Sequence, residues 1–153
     1  MKKNSTSMKS GFSLFVLSLS MVFSACTSAQ DKMEPWADKQ LMEPATLAEM
    51  MNDPAAQIPL LYNIGPSGHI KNAIDIGEGK KQESMEKLRK ELSQLPKETD
   101  IVIYCGCCPF KNCPNIRPAF NLLNDMEFTN HKLLNLSENL KVDWIDKGYP
   151  MSE

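Results

Sequence analysis

Ile101-Val102-Ile103-Tyr104-Cys105-Gly106-Cys107-Cys108-Pro109-Phe110-Lys111-Asn112-Cys113-Pro114-Asn115-Ile116-Arg117-Pro118-Ala119-Phe120 is the stretch whose reading decides the fold. Its first four residues are strand formers, apolar on both faces and preceded by Asp100, which predicts a central strand of a parallel sheet covered on both sides. The run stops at Cys105. Four of the chain's five cysteines fall within nine positions, on a loop broken by Gly106, Pro109 and Pro114. Pro118 then opens an amphipathic segment with Ala119, Leu122, Leu123 and Met126 on one face. The pattern predicts a reachable thiol where a strand hands over to a helix. That carboxyl-end crevice is where open α/β sheets bind ligands, and the unpaired N–H groups of a helix start favour a sulfur anion.

Outward from this stretch, strands alternate with helices. Residues 59–64 predict a strand ending in the turn Gly65-Pro66-Ser67-Gly68, residues 69–76 a turn leading into a short strand, and residues 131–136 another strand. Residues 44–52 predict a short helix with Pro44 near its start, and residues 138–147 one carrying Leu140, Trp144 and Ile145. The best helix spans residues 82–95, with Met85, Leu88, Leu92 and Leu95 on one face and Glu83/Lys87 and Glu86/Lys90 as outward pairs. Residues 77–81 read as a flexible charged loop. The economical arrangement is a single α/β domain built on a parallel sheet. The 153 residues suffice for one domain with a real core and not for two.

The beginning of the chain reads differently. Lys2, Lys3 and Lys9 precede an apolar, serine-punctuated run over residues 11–23 that ends in small residues around Ser24, Ala25 and Cys26. This is the order of a secretory signal, and the run is too short for a membrane span. Phe23-Ser24-Ala25-Cys26 resembles a bacterial lipobox, which makes residues 1–25 the signal peptide and Cys26 the lipidated amino terminus. Cleavage after Ala29 by an ordinary signal peptidase is the rival. The lipoprotein reading places the protein at the periplasmic face of a bacterial membrane, held by its lipid, with residues 26–43 as tether and loosely packed lead-in and residues 44–153 as the domain. Removing three lysines and no acid takes the formal charge from -2 to -5, and no basic stripe marks a nucleic-acid partner. Export into an oxidising compartment makes structural disulfides the bland reading of the clustered cysteines.

Three separated pieces then line up with one family. Gly68-His69-Ile70-Lys71-Asn72-Ala73-Ile74-Asp75-Ile76 resembles the Gly-His-Ile-Pro-Gly-Ala segment of rhodanese-like domains. Ile103-Tyr104-Cys105 resembles their active-site strand and cysteine, and Trp144-Ile145-Asp146-Lys147-Gly148-Tyr149-Pro150-Met151 resembles their closing Trp-x-x-x-Gly-Tyr-Pro-Val segment. The resemblance covers about residues 44–151, in order. It implies a rhodanese-like α/β fold, a five-stranded parallel sheet with helices on both faces. It also implies a sulfurtransferase without cofactor. Cys105 takes a sulfane sulfur from a small anion such as thiosulfate, carries it as a persulfide and passes it to a thiol or another thiophilic acceptor. The loop is longer than is usual in that family. Phe110 stands five positions after the cysteine, where an arginine is usual, and Arg117 twelve after it. Asn63-Ile64-Gly65 replaces the usual Asp-Val-Arg.

Within this frame Cys105 is the expected catalytic nucleophile, while Arg117 and Lys111 are candidates for holding the anionic donor, against the bland reading of solvated loop charges. Cys107, Cys108 and Cys113 read either as a disulfide bracing the loop, such as Cys107 or Cys108 with Cys113, or as a resolving thiol for Cys105. A zinc or cuprous site made of the same four thiols ranks third, so no metal is assigned. The rival to an enzyme is a non-enzymatic thiol-rich module on the same scaffold, disulfide-braced or with a metal or redox role. His69 reads as a structural hydrogen-bonder, His131 as a surface residue, and Trp144 and Tyr149 as packing residues.

Overall fold

The structure, a computed structural model, describes residues 34–153. The signal segment, Cys26 and the tail that follows it lie outside these residues. Five strands form one all-parallel sheet: β1 (Leu41–Met42), β2 (Leu60–Asn63), β3 (Ile74–Asp75), β4 (Ile101–Tyr104) and β5 (His131–Leu134), in the order β1-β5-β4-β2-β3. The decisive stretch takes the middle place, with Tyr62 opposite Ile103 on one side and Leu133 opposite Ile103 on the other. Four helices cover the sheet: α1 (Pro44–Asn52), α2 (Gln82–Leu92), α3 (Ile116–Asp125) and the single turn α4 (Leu140–Asp143). Among the described residues no helix is long and apolar enough to cross a membrane.

Successive side chains of a strand point to opposite faces, and the core divides accordingly. Ile101, Ile103 and Cys105 share one face with Tyr62, Ile64 and Leu133, roofed by Leu88 and Leu92 of α2 and Ile116, Ala119, Phe120 and Leu123 of α3. Val102 and Tyr104 share the other with Leu61 and Leu134, roofed by Leu47 and Ala48 of α1, Leu140 of α4 and Trp144. Burying a Leu, Ile or Phe side chain stabilises by about 1.5–3 kcal/mol, so both apolar layers hold the sheet.

Four expectations are corrected. The domain starts before residue 44, because Leu41 and Met42 pair in parallel with Leu133 and Leu134 as an edge strand. The lead-in is also not loose: Trp36 is 8 % exposed and packs its ring 5.6 Å from that of Phe120 and 5.9 Å from that of Phe110. His131 is 4 % exposed rather than superficial, since it opens β5 on the face of Leu133 and stacks 4.6 Å from the Phe120 ring. On α2 the outward pairs do not close. Gln82 bonds Glu86 instead, and the Lys87 ammonium reaches back to the carbonyl of Asp75.

The helix expected over residues 138–147 is one capped turn followed by a 3-10 turn at Ile145–Lys147. Asn139 caps it by accepting from the Val142 N–H, and the Asp143 carboxylate accepts from the N–H groups of Glu138 and Asn139. At Trp144 the backbone leaves helical geometry (φ -132°, ψ -61°), the indole is wholly buried, and its N–H donates to the Pro150 carbonyl at 3.0 Å. The burial of the indole against Tyr149, 5.2 Å away between ring centres, fixes this end of the chain.

Candidate active site

β4 ends at Tyr104, and the next residue is the first of the cluster. Cys105 keeps the strand's alternation, so its side chain enters the layer under α2 and α3. Gly106 turns the chain away with φ 73°, a left-handed conformation that a side chain would strain. A Cβ there would also stand 2.8 Å from Cβ of Leu140. The loop then forms a 3-10 turn at Phe110–Asn112, anchored where the Phe110 N–H donates to the Leu136 carbonyl, and passes through Cys113 into α3.

This path gathers the sulfurs. Sγ of Cys105 lies 3.2 Å from Sγ of Cys107, which lies 3.3 Å from that of Cys108 and 3.8 Å from that of Cys113. All four thiols are free, so the bracing disulfide expected between Cys107 or Cys108 and Cys113 is not formed. Cys105 and Cys113 are buried, Cys108 is partly covered, and Cys107 is exposed. Cys105 is 1 % exposed, contrary to the expectation of a reachable thiol, and the sulfur of Cys107 stands against it.

Two features given no part in the site by the sequence shape the cradle. The first is Asn115, buried just ahead of α3, whose Nδ2 donates to Sγ of Cys105 at 3.3 Å. Its amide orientation is fixed from behind, because Oδ1 accepts the Lys80 N–H at 3.1 Å and leaves the NH₂ group facing the sulfur. That contact makes the charged loop over residues 77–81 part of the site. Gly79 permits it, since a Cβ there would stand 2.2 Å from the Asn115 carbonyl oxygen. The second is Gly65, where a Cβ would lie 2.4 Å from the carbonyl oxygen of Cys105 and 2.5 Å from its sulfur. Asn63 holds that turn, its Oδ1 accepting from the Gly65 N–H and its Nδ2 donating to the Ser67 carbonyl, both at 3.1 Å. The sequence signals were an asparagine between Pro114 and Ile116, where a cap belongs, and an Asn-x-Gly at the end of a strand.

The electrostatics follow from the donors. The neighbouring Cys113 thiol, the Asn115 amide and the N–H and thiol of Cys107 lower the Cys105 thiol to about 6, against the opposing effect of burial. Cys107 is pushed up to about 12 by burial and by its hydrogen bonds with Cys105 and Cys108, and Cys113 is raised because it serves as the donor to Cys105. These opposed shifts favour placing negative charge on Cys105 rather than on Cys107 or Cys113.

The two basic candidates sit elsewhere. Arg117 donates through one NH₂ group to both carboxylate oxygens of Glu34, at 2.6 and 2.7 Å, and to the Lys111 carbonyl at 2.7 Å, with its guanidinium 5.4 Å from the Trp36 ring. Lys111 lies 5.8 Å over the Phe110 ring and lines a hollow of about 570 Å³ together with Glu34, Trp36 and Asn112. Neither reaches the sulfurs by any contact. The hollow beside Cys107 is another one, about 410 Å³, bounded by Ser67, Gly68, Gly106, Asn139 and Lys141. His69 is half exposed and its ring faces the Asp75 carboxylate at 3.5 Å.

No protein-family model matches the chain, and no curated protein does.

Proposed function

We propose that the chain is a rhodanese-type sulfurtransferase in which Cys105 is the nucleophile and sulfur carrier. The observation that supports this is the cradle itself: a cysteine sulfur at the carboxyl end of the central strand that accepts from the Asn115 amide, with the sulfurs of Cys107 and Cys113 within 4.8 Å, surroundings that lower its pKa. Such donors favour a persulfide anion as well as a thiolate, because both carry negative charge on a terminal sulfur. The Cys105 thiolate attacks the sulfane sulfur of thiosulfate, the sulfur–sulfur bond breaks, and sulfite leaves with the bonding pair. The terminal sulfur of the resulting persulfide is then attacked by cyanide or a thiolate, which departs as thiocyanate or a new persulfide and returns Cys105 to its thiolate.

Cys107 sets the terms of entry. Its exposed sulfur stands against that of Cys105, so a donor arriving from the hollow bounded by Ser67, Gly68 and Asn139 meets Cys107 first. Transfer takes place once that side chain has moved off the Cys105 sulfur. The same reading includes export and lipid anchoring through Cys26, on the residues ahead of the described domain.

The test is incubation of the reduced protein with thiosulfate followed by intact mass. Wild type gains the mass of one sulfur and Cys105→Ser gains none, while Cys107→Ala loads at least as fast as wild type because its backbone donor is kept and its side chain no longer covers the target. Equal loading of Cys105→Ser and wild type sinks the proposal.

A further inference from the structure

The sulfurs of Cys105, Cys107 and Cys113 all lie within 4.8 Å of one another. The Cys107 sulfur is 3.2 Å from that of Cys105 and 3.8 Å from that of Cys113. Thiolate–metal bonds of about 2.3 Å put three sulfurs in a plane around one ion about 4 Å apart. Both of these spacings are a little shorter than that and the third pair stays within 4.8 Å, so the sulfurs need only a slight opening to surround an ion, and no disulfide engages any of the three.

We infer that Cys105, Cys107 and Cys113 form a three-thiolate site for a single cuprous ion, a capacity independent of sulfur transfer. The donor set decides the metal. It is all sulfur, with no imidazole or carboxylate in the group among the described residues. Soft thiolates select cuprous copper or zinc, and structural zinc takes four ligands. Cys108 touches only Cys107, at 3.3 Å, and stands outside the mutually close set, so the tetrahedron is not completed and trigonal coordination remains.

The surroundings suit that ion. Asn115 donates to the Cys105 sulfur and is itself held by the Lys80 N–H, which is the supporting hydrogen bonding that fixes a metal ligand's direction. Cys105 and Cys113 come from the buried layer and Cys107 from the surface, so the ion enters from the solvent side and is closed over by its last ligand. Binding forms three copper–sulfur bonds and releases the protons the thiols still hold; copper stays cuprous and no sulfur is oxidised. Because Cys105 belongs to both sets, copper and sulfane sulfur exclude each other.

The experiment is anaerobic titration of the reduced full chain with cuprous ion against a chromophoric cuprous chelator, with X-ray absorption on the loaded protein. The expected result is one ion per chain with three sulfurs around it. Cys107→Ser and Cys113→Ser each lose a factor on the order of a hundred or more in affinity, and Asn115→Ala loses roughly ten- to a hundredfold, the usual cost of a lost supporting hydrogen bond. Cys108→Ser binds as wild type does. Cys113 is buried, so its variant is read beside a thermal melt; Cys107 is exposed and answers the same question without disturbing the core. Full affinity in Cys107→Ser overturns the site. So does a preference for zinc that Cys108→Ser abolishes, because that would be a four-thiol centre. Cuprous binding is read without thiosulfate, and thiosulfate loading is read separately by intact mass on the metal-free wild type, so a failure of this site and a failure of the transfer chemistry are told apart.

Discussion

The two faces of the sheet are built from the same strands and hold different kinds of interior. The layer under α1 and α4 is closed by bulk, with Leu47, Tyr104 and Trp144 almost or wholly buried. The layer under α2 and α3 is equally well buried, yet it admits Cys105, Cys113 and the neighbouring Asn115 and His131 among its apolar side chains. The difference teaches that one residue of register decides the chemistry. Cys105 inherits the face of Ile101 and Ile103, and a shift by one place would turn its sulfur into the apolar layer under α1 and α4, away from Asn115.

The comparison is broken most severely at Trp144. Trp144→Ala empties the bulk-filled face and costs about 3–5 kcal/mol in denaturant unfolding, while the alkylation rate of Cys105, measured well below the melt, stays near wild type. If that rate collapses too, the faces are not separable. Gly65→Ala tests the opposite layer. Its Cβ meets both the carbonyl oxygen and the sulfur of Cys105, so it costs about 1–3 kcal/mol and changes the thiol's reactivity as well.

Smaller effects sharpen the contrast. The Tyr104 hydroxyl accepts the buried Ile70 N–H at 3.0 Å, so Tyr104→Phe orphans a donor and costs about 1–3 kcal/mol without altering thiol reactivity. His131 supplies a pH test. Its Nδ1 donates to the Phe128 carbonyl at 3.0 Å, and its Nε2 faces the Gln40 NH₂ group at 3.2 Å, whose partner oxygen already accepts the Ala37 N–H. Only the neutral ring satisfies both neighbours, and burial holds its pKa below the ordinary value. Both states are neutral above about pH 6.5; below it the unfolded chain takes the proton first, so stability falls as pH drops. Melting temperature followed from pH 7 to pH 5 should decline in wild type and decline less in His131→Gln.

What could be read in advance follows range of interaction. β4 was legible because four apolar strand formers announce a strand covered on both sides, and α2 because its apolar residues recur at helical spacing. β1 was not, because two residues carry no periodicity and become a strand only by pairing with β5, about ninety residues on. The cysteines were visible as a cluster, but their sorting into buried and exposed members depends on Gly65, Gly79 and Asn115, which act across turns. Arg117 was read from its place at a helix start; its partner Glu34 lies 83 residues away and no local pattern joins them.

That distant partnership has a mechanical consequence. Trp36 rests on Phe110 inside the cysteine loop and Glu34 grips Arg117 in the helix that follows it, so this early segment is fastened to the loop and to its exit. Residues 34–36 are therefore part of what holds the cysteine loop in shape, although they stand about seventy residues ahead of it in the chain.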